Sequence, residues 1–182
     1  MAKRNIASVA VLALLALVAC DDAPESGRTI VSIQEFNLGT PVQSDVEVNN
    51  GTDPPYIAED LIPVTFTARP YNAFITGTTH NQVVIESYTV VWTRTDGGTG
   101  TLATRNEASS IYVTVGEETE AFIRLVTWGD KAGPVLLPLV GGSGQISMRA
   151  DVTFIGREVG TEEEIELSAS VSVNFADAVN TE

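Results

Sequence analysis

Apolar and polar residues alternate along most of this chain with a period of two, the spacing of a strand with one dry face and one wet face. The longest run is Ile165 to Phe175, where Ile165, Leu167, Ala169, Val171, Val173 and Phe175 interleave with Glu166, Ser168, Ser170, Ser172 and Asn174. Ile146, Met148, Ala150, Val152 and Phe154 interleave with Ser147, Arg149, Asp151 and Thr153 in the same way. Gly156 to Thr161 between them is turn-rich. The C-terminal third is therefore predicted to form one long antiparallel hairpin.

Upstream, shorter segments repeat the signal at Val64 to Ala68, Ser110 to Val115 and Ala121 to Leu125. Val83 to Arg94 is richer, with Tyr88, Val90 and Trp92 in one phase and Val83, Ile85 and Val91 among those in the other. Such a strand is expected to be central and covered on both faces over part of its length. Arg28 to Phe36 supplies a first strand whose inward phase the pattern leaves open. About seven strands and no amphipathic helix predict an all-β fold, an antiparallel sandwich. The stretches 37 to 61, 70 to 81, 95 to 109 and 128 to 143 are expected to be long connections, where sandwiches usually carry their binding residues.

The first 19 residues break the pattern. Lys3 and Arg4 precede Ile6 to Val18, an apolar stretch interrupted only by Ser8. It is shorter than the roughly 20 apolar residues that span a bilayer as a helix, and it reads as an export signal. Its end, Leu17-Val18-Ala19-Cys20, resembles the lipobox of bacterial lipoproteins. That resemblance implies cleavage before Cys20, a diacylglyceryl group on the Cys20 thiol and acylation of the new amino terminus. Each buried methylene contributes about 0.8 kcal/mol, so two or three chains would hold a protein at a membrane almost permanently. Asp21 to Gly27 is polar and reads as a tether. Asp21 directly after the cysteine resembles the inner-membrane retention signal of enterobacterial lipoproteins, a rule that varies between groups and leaves the choice of membrane open.

The expected organisation is a signal peptide at 1–19, a tether at 20–27, a sandwich domain at 28–177 and a tail at 178–182. Ala150 to Arg157, followed by Ser168 to Asp177, resembles the final hairpin of uncharacterised bacterial lipoproteins with an immunoglobulin-like sandwich. The likeness covers the last stretch and the lipobox, implies that fold, and transfers no functional residue.

Composition narrows the functions. The 182 residues hold 24 acids, 10 bases, one His and one Cys, with a formal charge of -14. Cleavage before Cys20 removes Lys3 and Arg4 and no acid, so the mature chain carries -16. No surplus of cations is left to neutralise phosphates, which argues against a nucleic-acid partner. One Cys and one His build neither a disulfide framework nor a Cys/His zinc site. His80 lies in a polar loop without a Gly-x-Ser-x-Gly elbow in the chain, and is read as solvated rather than catalytic.

Acids gather at Asp45, Glu47, Asp53, Glu59 and Asp60, at Glu117, Glu118 and Glu120, and at Glu162 to Glu164 with Glu166. None has the spacing of an EF-hand loop, and solvated charge explains them better than a metal site. Gly97 to Gly100 and Gly141 to Gly144 read as turns rather than phosphate cradles. Pro134 to Val140, apolar and bounded by prolines, is expected as an edge strand or a loop tucked on the core, with an exposed partner patch as the alternative.

The expected function is that of a non-enzymatic envelope lipoprotein, anchored to a membrane through Cys20 and binding an envelope protein or glycan, with no catalytic residue, cofactor or metal assigned. The alternative is a calcium-dependent, lectin- or adhesin-like module using the acidic loops.

Overall fold

The computed structural model describes residues 29–48, 54–71 and 82–178. Cys20, the signal peptide, the tether, Asp53 and His80 lie outside the described residues.

Among the described residues eight strands make two sheets: β1 (Thr29–Phe36), β2 (Val42–Asp45), β3 (Asp60–Pro70), β4 (Gln82–Arg94), β5 (Arg105–Thr114), β6 (Glu118–Val126), β7 (Gln145–Glu158) and β8 (Glu164–Ala176). One sheet has the order β1-β3-β6 and the other β2-β8-β7-β4-β5. A single helical turn, α1 (Trp128–Lys131), is followed by a 3-10 turn at Leu137–Leu139. The molecule is all-β and sandwich-like.

The alternating residues of the long hairpin account for much of the core. Ile146, Met148, Ala150, Val152 and Phe154 of β7 and Val171, Val173 and Phe175 of β8 are all buried, facing Ile62, Val64 and Phe66 of β3 and Ile123 and Leu125 of β6. Phe154 gathers aromatic edges at the centre: Phe66 meets it at a ring separation of 5.3 Å and Phe36 at 6.3 Å, both nearly perpendicular. Such pairs contribute about 1 kcal/mol each beyond their burial. Trp92 packs on Phe175 at 5.8 Å.

Five expectations are corrected. The sandwich is not purely antiparallel, because β2 pairs in parallel with β8, from Val42 opposite Val173 to Asp45 opposite Ala176. That strand lies inside a stretch expected to be a loop. The chain leaves β1 in one sheet and joins the other by a turn at Asn37, Leu38 and Gly39, all at positive φ. Asn37 holds the turn by donating from Nδ2 to the Thr40 carbonyl at 2.7 Å, a local bond that helps Asn tolerate this backbone.

β4 is central, between β7 and β5, but it is not covered on both faces. A bulge at Glu86 shifts its phase, so Val83 and Ile85 face the same core as Tyr88, Val90 and Trp92, while Val91 is exposed. A similar irregularity at Gln34, between Ile33 and Glu35, explains why the phase of β1 was open in the sequence. β5 begins at Arg105, inside the stretch assigned to a connection. Gly156 and Arg157 belong to β7 and not to the turn, since Gly156 pairs with Ile165 and Arg157 with Glu164.

Candidate functional site

The two ends of the sandwich differ. Thr29 begins β1 opposite Pro70, at one end of β3, while Asp60 at its other end pairs with Val126, two residues before Trp128. Ten steps of strand separate these ends by roughly 33 Å. Thr29 thus lies at the end away from Trp128.

Thr127 to Asp130 closes a capping box, in which the Thr127 hydroxyl accepts from the Asp130 amide at 3.1 Å and Asp130 Oδ2 accepts from the Thr127 amide at 2.9 Å. Arg105 of β5 reaches this box. Its Nη1 donates to Asp130 Oδ2 at 2.6 Å, and its Nη2 donates to the Arg124 and Leu125 carbonyls at 2.9 Å. Arg105 Nε lies 2.8 Å from Glu107 Oε1 as an ion pair without hydrogen-bond alignment.

Lys131, on the same turn, is 1% exposed. Its Nζ donates to Asp60 Oδ1 at 2.8 Å and to the Asp45 carbonyl at 2.7 Å, while Ser44 Oγ donates to Asp60 Oδ2 at 2.5 Å. Two ion-pair networks therefore clamp α1 onto β2, β3, β5 and β6.

The clamped corner presents large apolar groups outward, with the exposed ion pair of Glu59 and Arg124 on the same sheet face, Arg124 lying opposite Leu61. Trp128 is 59% exposed. On the outer face of the three-stranded sheet, Leu61 and Phe122 are exposed to 59% and 65%, and the register places them diagonally across β3 and β6. Leu137 is half exposed on the following segment. A rigid backbone carrying an exposed indole, at the end of a sheet that also exposes Leu61 and Phe122, suits contact with a protein or a sugar ring, since Trp offers a large amphipathic surface at low entropic cost.

The residues singled out in the sequence fall in several places. Asp45 and Asp60 meet at Lys131, and Asp45 Oδ1 also accepts from the Ala178 amide at 3.1 Å. Glu59 pairs with Arg124 at 3.0 Å. Glu162 pairs with Arg157 at the β7-β8 turn, and that ion pair raises the Arg157 pKa. Among the described residues no group of three or more His, Cys, Asp or Glu side chains could hold a metal ion.

Asp96 organises the glycine turn at 97 to 100: its carboxylate accepts from Arg94 Nε at 2.6 Å and the Gly98 amide at 2.9 Å. The Arg94 hydrogen bond, then the Gly98 amide, lower its pKa to about 2. In the second glycine turn, the Gly141 amide donates to Asp177. Pro134 to Val140 is a loop tucked on the core, with Leu136 and Leu139 buried. Tyr88 ties the sheets together, its hydroxyl accepting from the Arg124 amide at 3.0 Å and donating to the Arg124 carbonyl at 3.2 Å. Burial raises the Tyr88 pKa.

Sequence reasoning missed Lys131, Arg105 and the buried Glu158, whose carboxylate accepts from Thr29 Oγ1 at 2.5 Å and Thr161 Oγ1 at 2.8 Å. The Thr127-x-x-Asp130 spacing could have signalled the capping box; nothing local marks the other two.

Fold and corner together define an all-β, sandwich-like domain with a braced, exposed aromatic corner. No family model and no curated protein matches the chain.

Proposed function

We propose that this protein is a bacterial envelope lipoprotein, anchored through lipid on Cys20, whose sandwich domain acts as a non-enzymatic binding or assembly module for an envelope protein or glycan. The observation that carries the reading is the placement of exposed Trp128 at the end of the sandwich away from Thr29, where an anchored chain would point outward from the membrane. The lipobox-like Leu17 to Cys20 supports the anchor. The mature charge of -16 supports attachment by lipid rather than by surface, because anionic headgroups repel an acidic body.

The immunoglobulin-like form of the sandwich belongs to the same proposal. It is supported by the sheet order, by a first strand split between the two sheets, and by the buried Trp92 on β4 packed between the sheets.

Mass spectrometry of the membrane fraction is the test. The expected result is an amino-terminal peptide starting at lipid-modified Cys20, with Cys20→Ser releasing the chain or leaving it as precursor. An unmodified protein beginning elsewhere removes the anchor.

A further inference from the structure

β8 carries an open flank. Its register with β7 is unbroken from Ala176 opposite Gln145 to Glu164 opposite Arg157, so backbone direction alternates without a slip along its length. The Ala176 carbonyl accepts from the Val46 amide on the β2 side at 3.0 Å. Counting back by twos, Ser170, Ser168 and Glu166 aim their amides and carbonyls to that same side. β2 covers only Val173 to Ala176. Among the described residues no strand pairs with the rest of this flank.

Sheet edges of this kind are usually guarded by Lys, Pro or a bulge. Ile165 to Val171 has none of these; its outward positions are Glu166, Ser168 and Ser170, all exposed. Beside the flank runs a cleft of about 390 Å³ between β8 and β1, with Ile30, Val31, Ile165 and Leu167 among its walls and Glu164 and Glu166 on its rim. No Lys or Arg lines it among the described residues. Side chains alternate along β8, so the half-buried Ile165 and Leu167 face inward while Glu164 and Glu166 face out.

From this alternation we infer that the β8 flank is a strand-addition site for an extended segment of a partner protein in which apolar residues alternate with basic ones. Main-chain bonds to Glu166, Ser168 and Ser170 would supply affinity. Apolar side chains of the added strand would close the cleft over Ile165 and Leu167, and its basic side chains would meet Glu164 and Glu166 on the outer face. A second copy of this acidic chain lacks that complementary charge. The inference rests on the binding-module reading and names one partner class for it, at a surface separate from Trp128.

The test uses the full chain purified in detergent. Ser170→Pro should fold with unchanged melting, because an outward amide at an open edge has no bond to lose, and Ser168→Pro should fold with only the small loss of its exposed hydroxyl bond to Thr153 at 3.3 Å, whereas Ala169→Pro removes a bond to β7 and should abolish folding. Unfolding of the two serine variants would show the flank already paired and overturn the site. Hydrogen exchange is then followed with a blocked dodecapeptide of alternating Lys and Val at millimolar concentration. The amides of Glu166, Ser168 and Ser170 should exchange about tenfold more slowly with peptide than without. Ser170→Pro should remove the effect, and an alternating Glu and Val peptide should have none. No slowing, equal slowing by the acidic peptide, or slowing at β5 or β6 instead overturns the inference. Cys20→Ser should bind the Lys and Val peptide unchanged, so failure of the anchor and failure of the edge are read separately.

Discussion

At the scale of single residues, two positions show how a side chain or its absence sets local geometry. Asp96 is held below its ordinary value of 3.8, at about 2, chiefly by the Arg94 hydrogen bond and then by the Gly98 amide. A carboxylate whose folded pKa is depressed stabilises the fold above its unfolded value, and the contribution is lost as pH falls through the folded one. The window for the 94 to 101 turn is therefore from about 4 down to about 2. An NMR titration of the Asp96 carboxyl should show a midpoint near the lower value, moving towards 3.8 in Arg94→Gln. Gly156 is the complementary case. A Cβ there would stand 2.4 Å from the Val84 carbonyl oxygen and 3.0 Å from Ile85 Cα, next to the bulge at Glu86. Both neighbours are backbone and cannot swing away. Gly156→Ala should lose about 2 kcal/mol in urea unfolding, the usual cost of overpacking a tight site.

At the scale of elements, the length and continuity of the apolar alternation decide which parts of the chain were readable. The long strands were legible because their alternation is sustained: nearly every inward position of β7 is apolar and buried. β2 was not, since four residues give only two inward positions, and one of these is Ser44, buried because it donates to Asp60. The bulges at Gln34 and Glu86 were hidden for a related reason. Each inserts one residue and reverses the phase, which in a sequence looks like a strand with two dry faces. Of the candidate site, Trp128 fell at the start of a stretch read only as a connection, and the clamp escaped entirely, because Lys131 meets partners 86 and 71 residues away. No local period reports such a contact. The clamp also predicts an asymmetry. Asp60→Asn leaves the buried Lys131 ammonium without a countercharge and should cost about 3 kcal/mol by denaturant unfolding. Trp128→Ala removes an exposed side chain and should change stability by less than about 0.5 kcal/mol, so any loss of partner binding in that variant is a contact effect.

At the scale of the whole molecule, the question is whether the acids act as a site or as a field. Among the described residues Asp60 pairs with Lys131, Glu59 with Arg124 and Glu162 with Arg157, buried Glu158 is held by the Thr29 and Thr161 hydroxyls, and no set of three acids converges as a metal site. A formal charge of -14 then opposes compaction by self-repulsion, and any cation should relieve it by screening. Screening depends on ionic strength, whereas a site adds a mass-action term that only its own ion supplies. A calcium site occupied at a hundredfold excess over its Kd would add about 2.7 kcal/mol. In a domain of this size each kcal/mol moves the Tm by roughly 3 °C, so the added shift would be about 8 °C. Melting the full chain in calcium chloride and in sodium chloride at matched ionic strength separates the two, because a field predicts nearly superimposable curves while a site predicts the extra displacement in calcium alone, reversed by chelator. The expected outcome is superposition, with both salts raising the Tm relative to low ionic strength. A calcium-specific rise of several degrees would transfer the proposal from a module that binds through Trp128 to the lectin- or adhesin-like alternative.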